Sequence, residues 1–135
     1  MTAVAAATVH TGGCLCRAVC YEIRGALRDV IGCHCSQCRR TSGHFAAMTR
    51  APSVDLTLTS SKGLTWYRSS DTAERGFCNI CGSNLFWREL AHDVTSITAG
   101  TLDLPTTLKI AEHIFVADKS DYYEIHDQVS RREQW

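Results

Sequence analysis

The sequence predicts a mainly β domain, built from antiparallel sheets with very little helix. Three observations predict it. Short runs with period-2 alternation, rich in β-branched and aromatic residues, recur along the chain and are separated by turn signals. Only one stretch carries convincing helix start and stop signals. Eight cysteines, seven of them in three tight clusters, offer cross-links to a small core.

Taken in order, the candidate strands are 14–23, 30–33, 45–48, 56–59, 64–68, 76–78, 85–88, 95–99 and 110–116. The breaks between them fall at Gly12-Gly13, Pro52-Ser53, 60–63, Ser69-Ser70-Asp71, Gly82-Ser83-Asn84 and 103–105, all rich in turn-forming residues. The helical turn is predicted over 37–42, with Ser36 as its N-cap and Gly43 as its stop. A second short turn is predicted at 120–123. Residues 1–11 read as a flexible, Ala-rich start, 12–127 as a single domain and 128–135 as a polar tail.

Composition narrows the class. A chain of 135 residues, 44% hydrophobic, suits one domain with a two-layer core. A formal net charge of zero argues against nucleic-acid or anionic-membrane partners held by bulk electrostatics. The apolar stretch 3–9 is too short to span a bilayer and lacks the basic flank of a secretory signal. The cysteines are therefore expected in a reducing, cytoplasmic compartment, where metal ligation is favoured over disulfides.

The clusters are Cys14-Leu-Cys16, Cys33-His-Cys35-Ser-Gln-Cys38 and Cys78-Asn-Ile-Cys81-Gly82; Cys20 stands apart. If residues 14–23 form one strand, Cys14 and Cys16 project from the same face and reach one metal, while Cys20 lies ~13 Å from Cys16 and reads as a small buried residue. Cys78 and Cys81 have the spacing of a zinc knuckle, and Gly82 tolerates the left-handed backbone that ends such a turn. Strand-like residues follow them, which argues against a redox CxxC on a helix. Closing Cys14 and Cys16 with Cys78 and Cys81 gives a structural zinc site. Cys33, Cys35 and Cys38 supply three thiolates with no obvious fourth ligand, the pattern of a zinc with an open position. His34 is expected to point away. A closed site completed by His44, or an iron–sulfur cluster, are the alternatives.

Collectively, five motifs in order resemble the glutathione-dependent formaldehyde-activating enzyme family, which includes centromere protein V. They are 12–17 (GGCLCR), 33–40 (CHCSQCRR) with Ser42-Gly43, 75–83 (RGFCNICGS), 99–103 (AGTLD) and 113–121 (HIFVADKSD). The resemblance implies an Mss4-like fold of antiparallel sheets stapled by a structural zinc at Cys14, Cys16, Cys78 and Cys81. It implies a second, catalytic zinc at Cys33, Cys35 and Cys38, and carbon–sulfur lyase chemistry on S-hydroxymethylglutathione. His44 and Tyr122 stand where the family tends to have a small residue and Trp, departures that bear on the substrate and not on the metal sites.

A zinc with three thiolates favours a thiol as its fourth ligand, so the expected partner is a small, glutathione-like thiol. Its carboxylates need cations, and Arg39, Arg40 and Ser42 directly follow the last ligand. Asp103 and Asp118 read as structural turn residues. Trp66, Phe86, Trp87, Phe115, Tyr122 and Tyr123 read as core or pocket wall. The rival reading is a binding module that uses zinc for stability alone, and it leaves the three extra thiolates without a purpose. A sulfoxide reductase of related fold needs a nucleophilic cysteine late in the chain, and none follows Cys81.

Overall fold

The computed structural model describes residues 8–135, so most of the predicted flexible start, residues 1–7, lies outside the described residues. Eleven strands and one short helix follow: β1 Val9–Gly13, β2 Val19–Arg24, β3 Val30–Cys33, α1 Ser36–Ser42, β4 Ala46–Pro52, β5 Leu56–Ser61, β6 Leu64–Arg68, β7 Ala73–Cys78, β8 Asn84–Glu89, β9 Val94–Thr98, β10 Ile110–Ile114 and β11 Ser130–Arg131. They form a three-stranded sheet, β1-β2-β5, and an eight-stranded sheet, β11-β10-β3-β4-β9-β8-β7-β6. Neighbouring pairs are antiparallel except where β10 runs parallel to β3 and to β11. Among the described residues no helix is long and apolar enough to cross a membrane.

The structure corrects three local expectations. The stretch 14–23 is not one strand: the chain turns at Cys14, where its N–H donates to Val19 O at 3.0 Å and Arg17 takes a φ of 67°. Cys14 and Cys16 are therefore presented by a turn and not by one face of a strand. The helix is capped by Cys35 and not by Ser36, with the Cys35 sulfur accepting from the Cys38 N–H at 3.3 Å. Gly43 stops it in the left-handed region, φ 78°, as the sequence predicts. Of residues 120–123 only Asp121 and Tyr122 form a bend; the helical turn near them is a 3-10 turn at Val116–Asp118.

The core lies between the two sheets. From the small sheet come Val19, Tyr21 and Ile23, alternate residues of β2, all at most 1% exposed. From the large one come Leu85, Phe86, Ile97 and Ala51. Tyr21 packs edge-on against Phe86, ring centroids 5.5 Å apart, and its hydroxyl meets Thr101 Oγ1 at 2.7 Å. Alternation along the central strands then sends Arg50, Trp87 and Ser96 to the opposite face of the large sheet, where a cavity forms.

Close approach of the sheets demands glycine at position 12. A Cβ there would lie 2.4 Å from both Thr101 O and the Tyr21 hydroxyl. Gly12→Ala is expected to lower stability by about 1–3 kcal/mol through overpacking. Denaturant unfolding tests this; an unchanged midpoint would show that the contact between the sheets is loose.

Candidate metal centres and the adjoining cavity

The chain gathers its clustered cysteines into two groups. In the first, Cys14 and Cys16 come from the turn after β1, Cys78 ends β7, and Cys81 sits in the turn before β8. That turn closes through Gly82 N–H to Cys78 O at 2.8 Å and Cys78 N–H to Ser83 O at 3.0 Å, with Gly82 at φ 80°. All four sulfurs lie within 4.8 Å of one another. Cys14 and Cys16 are 3.7 Å apart, and Cys16 and Cys78 are 3.8 Å apart. A tetrahedral shell with metal–sulfur bonds near 2.3 Å has sulfur–sulfur edges of about 3.8 Å. The donor set and its spacing therefore fit a tetrathiolate metal ion.

Local hydrogen bonds prepare these sulfurs for negative charge. The Val19 N–H points at Cys14 Sγ at 3.3 Å, and the Ser83 hydroxyl meets Cys81 Sγ at 3.2 Å. The Ser83 contact is the leading reason that the Cys81 thiol is held down to about 5. Cys14 and Cys78 are also members of the core, 2% and 0% exposed. The cluster thus joins the small sheet to the large one from inside the packed layer.

The second group is Cys33, Cys35 and Cys38, again with sulfurs within 4.8 Å. Cys33 ends β3, Cys35 caps α1 and Cys38 sits in its first turn. The three sulfurs compete for protons. Contacts from Cys33 and Cys38 push the Cys35 thiol far below its usual range, and contacts to Cys35 and Cys38, with burial, push Cys33 far above it. A cation between them removes this conflict, so this donor set also fits a metal, with three protein ligands. No histidine completes the group: His44 instead bonds the Tyr122 hydroxyl and lies against Tyr123, ring centroids 4.5 Å apart. His34 points to the other side, as the alternation of β3 requires, and is 1% exposed. Burial first, then the neighbouring His113, lowers its pKa to about 4, so it is neutral. Cys20 belongs to neither group; it is half-buried and its thiol donates to Arg17 O at 3.1 Å.

A cavity of about 740 Å³ opens beside the three-cysteine group, on the face of the large sheet away from the core. Its floor is apolar, with Ile31, Met48 and Trp87. Its polar ends differ. At the cysteine end, Arg75 donates to Gln37 Oε1 through Nε and Nη2, at 3.1 and 2.8 Å, and its Nη2 lies 3.5 Å from Cys38 Sγ. At the far end stand Arg28 and Arg50, with His92 and Asp93. Burial, then the charge of Arg50, holds the Arg28 guanidinium below its usual value, and the carboxylates of Glu89 and Asp93 line the same cavity. Arg50 pairs with Ser96, Ser96 with Trp87 and Trp87 with Arg75 across four strands. At ~4.8 Å per strand, the two arginines flank the Trp87 floor with backbones roughly 14 Å apart.

Of the residues proposed from sequence to bind substrate, Arg39 and Arg40 lie on α1 and do not line this cavity. The Arg39 Nε is buried without a hydrogen-bond partner among the described residues. Ser42 faces a separate shallow hollow with Phe45 and Thr101. Sequence reasoning missed Arg28, Arg50 and Trp135 on the cavity wall. Arg50 was findable, because it alternates with Met48 on β4; Trp135 carried no local signal, since only the pairing of β11 with β10 carries that segment to the cavity. Asp103 accepts from Thr11 and Arg17, and is structural as expected.

Comparison with known proteins agrees with this geometry. Residues 9–118 match the family described as glutathione-dependent formaldehyde-activating enzyme. The chain is 28% identical over 127 residues to "Uncharacterized lyase C29B12.13" of Schizosaccharomyces pombe, covering 90% of this chain and 88% of that protein. A crystal structure of a Rhodobacter sphaeroides protein superposes with a TM-score of 0.57 at 29% identity, covering 72% of this chain and 91% of the other. The matched residues contain both cysteine groups, and the chain belongs to the glutathione-dependent formaldehyde-activating enzyme family.

Proposed function

We propose that this protein is a zinc-dependent carbon–sulfur lyase whose substrate is an adduct of an acidic thiol, with S-hydroxymethylglutathione as the first candidate. The observation that carries this reading is the juxtaposition of a three-cysteine group with a cavity whose wall includes Arg28, Arg50 and Arg75. Thiolate donors in tetrahedral array select zinc among the common divalent ions. In the four-cysteine group the ion is structural. In the three-cysteine group it supplies a Lewis acid with a fourth position suited to sulfur.

The chain's own residues select and orient the thiol. Arg28 and Arg50 are placed to take a carboxylate, because a guanidinium pairs with one through two parallel hydrogen bonds. Cys33 pairs with Ala46, and Arg50 lies four residues further along β4, so the two ends are ~13 Å apart along the strand. Glutathione carries its sulfur on the central residue, so sulfur to a terminal carboxylate spans about two residues, ~7 Å, and the long Arg50 side chain makes up the difference. Trp87 supplies a flat apolar floor between the ends, and Arg75, fixed by Gln37, holds positive charge against the sulfurs. In the synthetic direction the thiol sulfur bonds the carbon of formaldehyde, and the thiol proton ends on the new hydroxyl. In the lyase direction that carbon–sulfur bond breaks and the proton returns to sulfur. This assignment moves the anion-binding role from Arg39 and Arg40 to Arg28, Arg50 and Arg75.

Two tests follow. Cys78→Ser is expected to give unfolded or insoluble protein, because metal binding there is part of the folding free energy. Cys35→Ser is expected to stay folded, to hold about half the metal per chain and to lose adduct turnover, read by metal analysis, circular dichroism and proton NMR of the glutathione–formaldehyde mixture. A Cys35→Ser protein that unfolds as readily as Cys78→Ser would contradict the division of roles.

Calorimetry of the zinc-loaded protein with glutathione tests the cavity. Arg50→Ala is expected to weaken binding by about 1–3 kcal/mol, the range for a hydrogen bond to a charged group, and added salt to weaken the wild type. Arg40→Ala is expected to have a smaller effect. Absence of glutathione binding, together with unchanged turnover in Cys35→Ser, would favour a binding module in which zinc serves stability alone.

A further inference from the structure

Four polar residues outside both cysteine groups form one hydrogen-bonded line, buried at its two histidines, half-buried at Tyr123 and exposed at Asp127. His113 Nε2 bonds Asp127 Oδ2 at 2.8 Å, His113 Nδ1 meets His34 Nε2 at 2.8 Å, and His34 Nδ1 meets the Tyr123 hydroxyl at 2.9 Å. The two rings are 1% and 2% exposed. One assignment of hydrogens satisfies every member. An ionised carboxylate only accepts, so His113 Nε2 donates and its Nδ1 is left as an acceptor. His34 Nε2 must then donate, and its Nδ1 accepts from the tyrosine hydroxyl. Every ring nitrogen is used, and the tautomers are assigned by these partners.

The line passes between two cysteines. His34 separates Cys33 from Cys35, and its backbone N–H also donates to Ile114 O at 3.0 Å. Its peptide and both ring nitrogens are therefore held at once. The neighbouring residue makes room for this arrangement. A Cβ on Gly32 would lie 2.7 Å from His113 Nδ1 and 3.2 Å from Phe45, so only glycine lets the His113 ring lie against β3. Phe45 closes the pocket around both rings, with centroids 4.8 Å from His34 and 5.6 Å from His113. A buried polar chain is costly when partly satisfied and rigid when complete. This one is complete.

We propose that the Asp127–His113–His34–Tyr123 chain is a positioning device for Cys33 and Cys35. By locking the residue between them, it presets the two sulfurs and so sets the metal affinity of the three-cysteine group. Tyr123 and Asp127 lie beyond the residues that match the family, 9–118, so affinity at the shared cysteines is tuned by a segment outside that match. The inference rests on the reading that the three-cysteine group holds a metal. Alternation along the extended backbone makes the coupling direct: with the His34 side chain fixed on one side, those of Cys33 and Cys35 are aimed to the other. Without the lock, metal binding must itself order this stretch.

The test is competition of the fully zinc-loaded chain against chelators of graded affinity, which resolves a tight and a weaker zinc. The variants are His113→Phe, which keeps a ring and removes both nitrogens, Tyr123→Phe, which removes one hydroxyl, and Asp127→Asn, which keeps an acceptor. His113→Phe and Tyr123→Phe are expected to weaken the weaker zinc at least about tenfold, leaving the tight one unchanged. Asp127→Asn is expected to stay near the wild type. The visible spectrum of the cobalt-substituted three-thiolate site should shift in the same two variants. Unchanged affinity in both, or equal weakening of both zincs, would overturn the inference while leaving the metal reading intact. If His113→Phe does not fold, Tyr123→Phe decides alone by the same outcomes. A wild-type chain that binds only one zinc would overturn the metal reading and this inference with it.

Discussion

The structure depends on one constraint: four sulfurs from two remote turns must meet inside the layer between the sheets. Cys14 and Cys78 are fully buried members of the core. Four thiols crowded within 4.8 Å of one another, with Cys14 and Cys78 buried, Cys81 half-buried and Cys16 exposed, cannot all be satisfied by hydrogen bonds alone. A tetrahedral cation would resolve the crowding, and the four cysteines that could hold it would then staple a three-stranded to an eight-stranded sheet. A chain of this size buries a modest core, and such a cross-link between distant segments contributes where loop closure is most costly.

The second consequence is a division of the large sheet into two faces. Phe86 and Ile97 face the small sheet; their sequence neighbours Trp87 and Ser96 face the cavity. Because the side-chain period is two, the order that builds the core on one face also builds the floor of the cavity on the other: one register places both. The same alternation separates Cys33 and Cys35 from His34. The two cysteines go to the cavity side, while the two buried histidines go to the other, so the cysteine end of the cavity is backed by a polar line that reaches solvent only beyond the rings, at Asp127.

Much of this was legible in the sequence, for identifiable reasons. Alternating runs and Gly, Pro and Ser breaks located most strands, because those signals are local. The cysteine groups were legible because ligand spacing is a local property, and Gly43 because a helix stop needs a left-handed residue. What failed was also physical. The turn at Cys14 lay inside an alternating run, and only its hydrogen bond to Val19 O reveals it. Parallel pairing of β10 with β3 joins segments far apart in sequence, and no local pattern announces it. Proximity in sequence pointed to Arg39 and Arg40 as the cations beside the substrate, whereas Arg50 and Arg75 reach opposite ends of the cavity through register across β4, β9, β8 and β7. The partnership of His34 with His113 and Asp127 has the same origin.

The central claim is that the chain carries two separate metal centres, one that staples the sheets and one that opens onto the cavity. Crystals of the purified protein, measured for anomalous scattering on both sides of the zinc edge, test it most directly. The account predicts two zinc peaks per chain, one within bonding distance of Cys14, Cys16, Cys78 and Cys81 and one beside Cys33, Cys35 and Cys38. A single peak at the four-cysteine group in fully zinc-loaded protein, or an iron signal at the other, would contradict it.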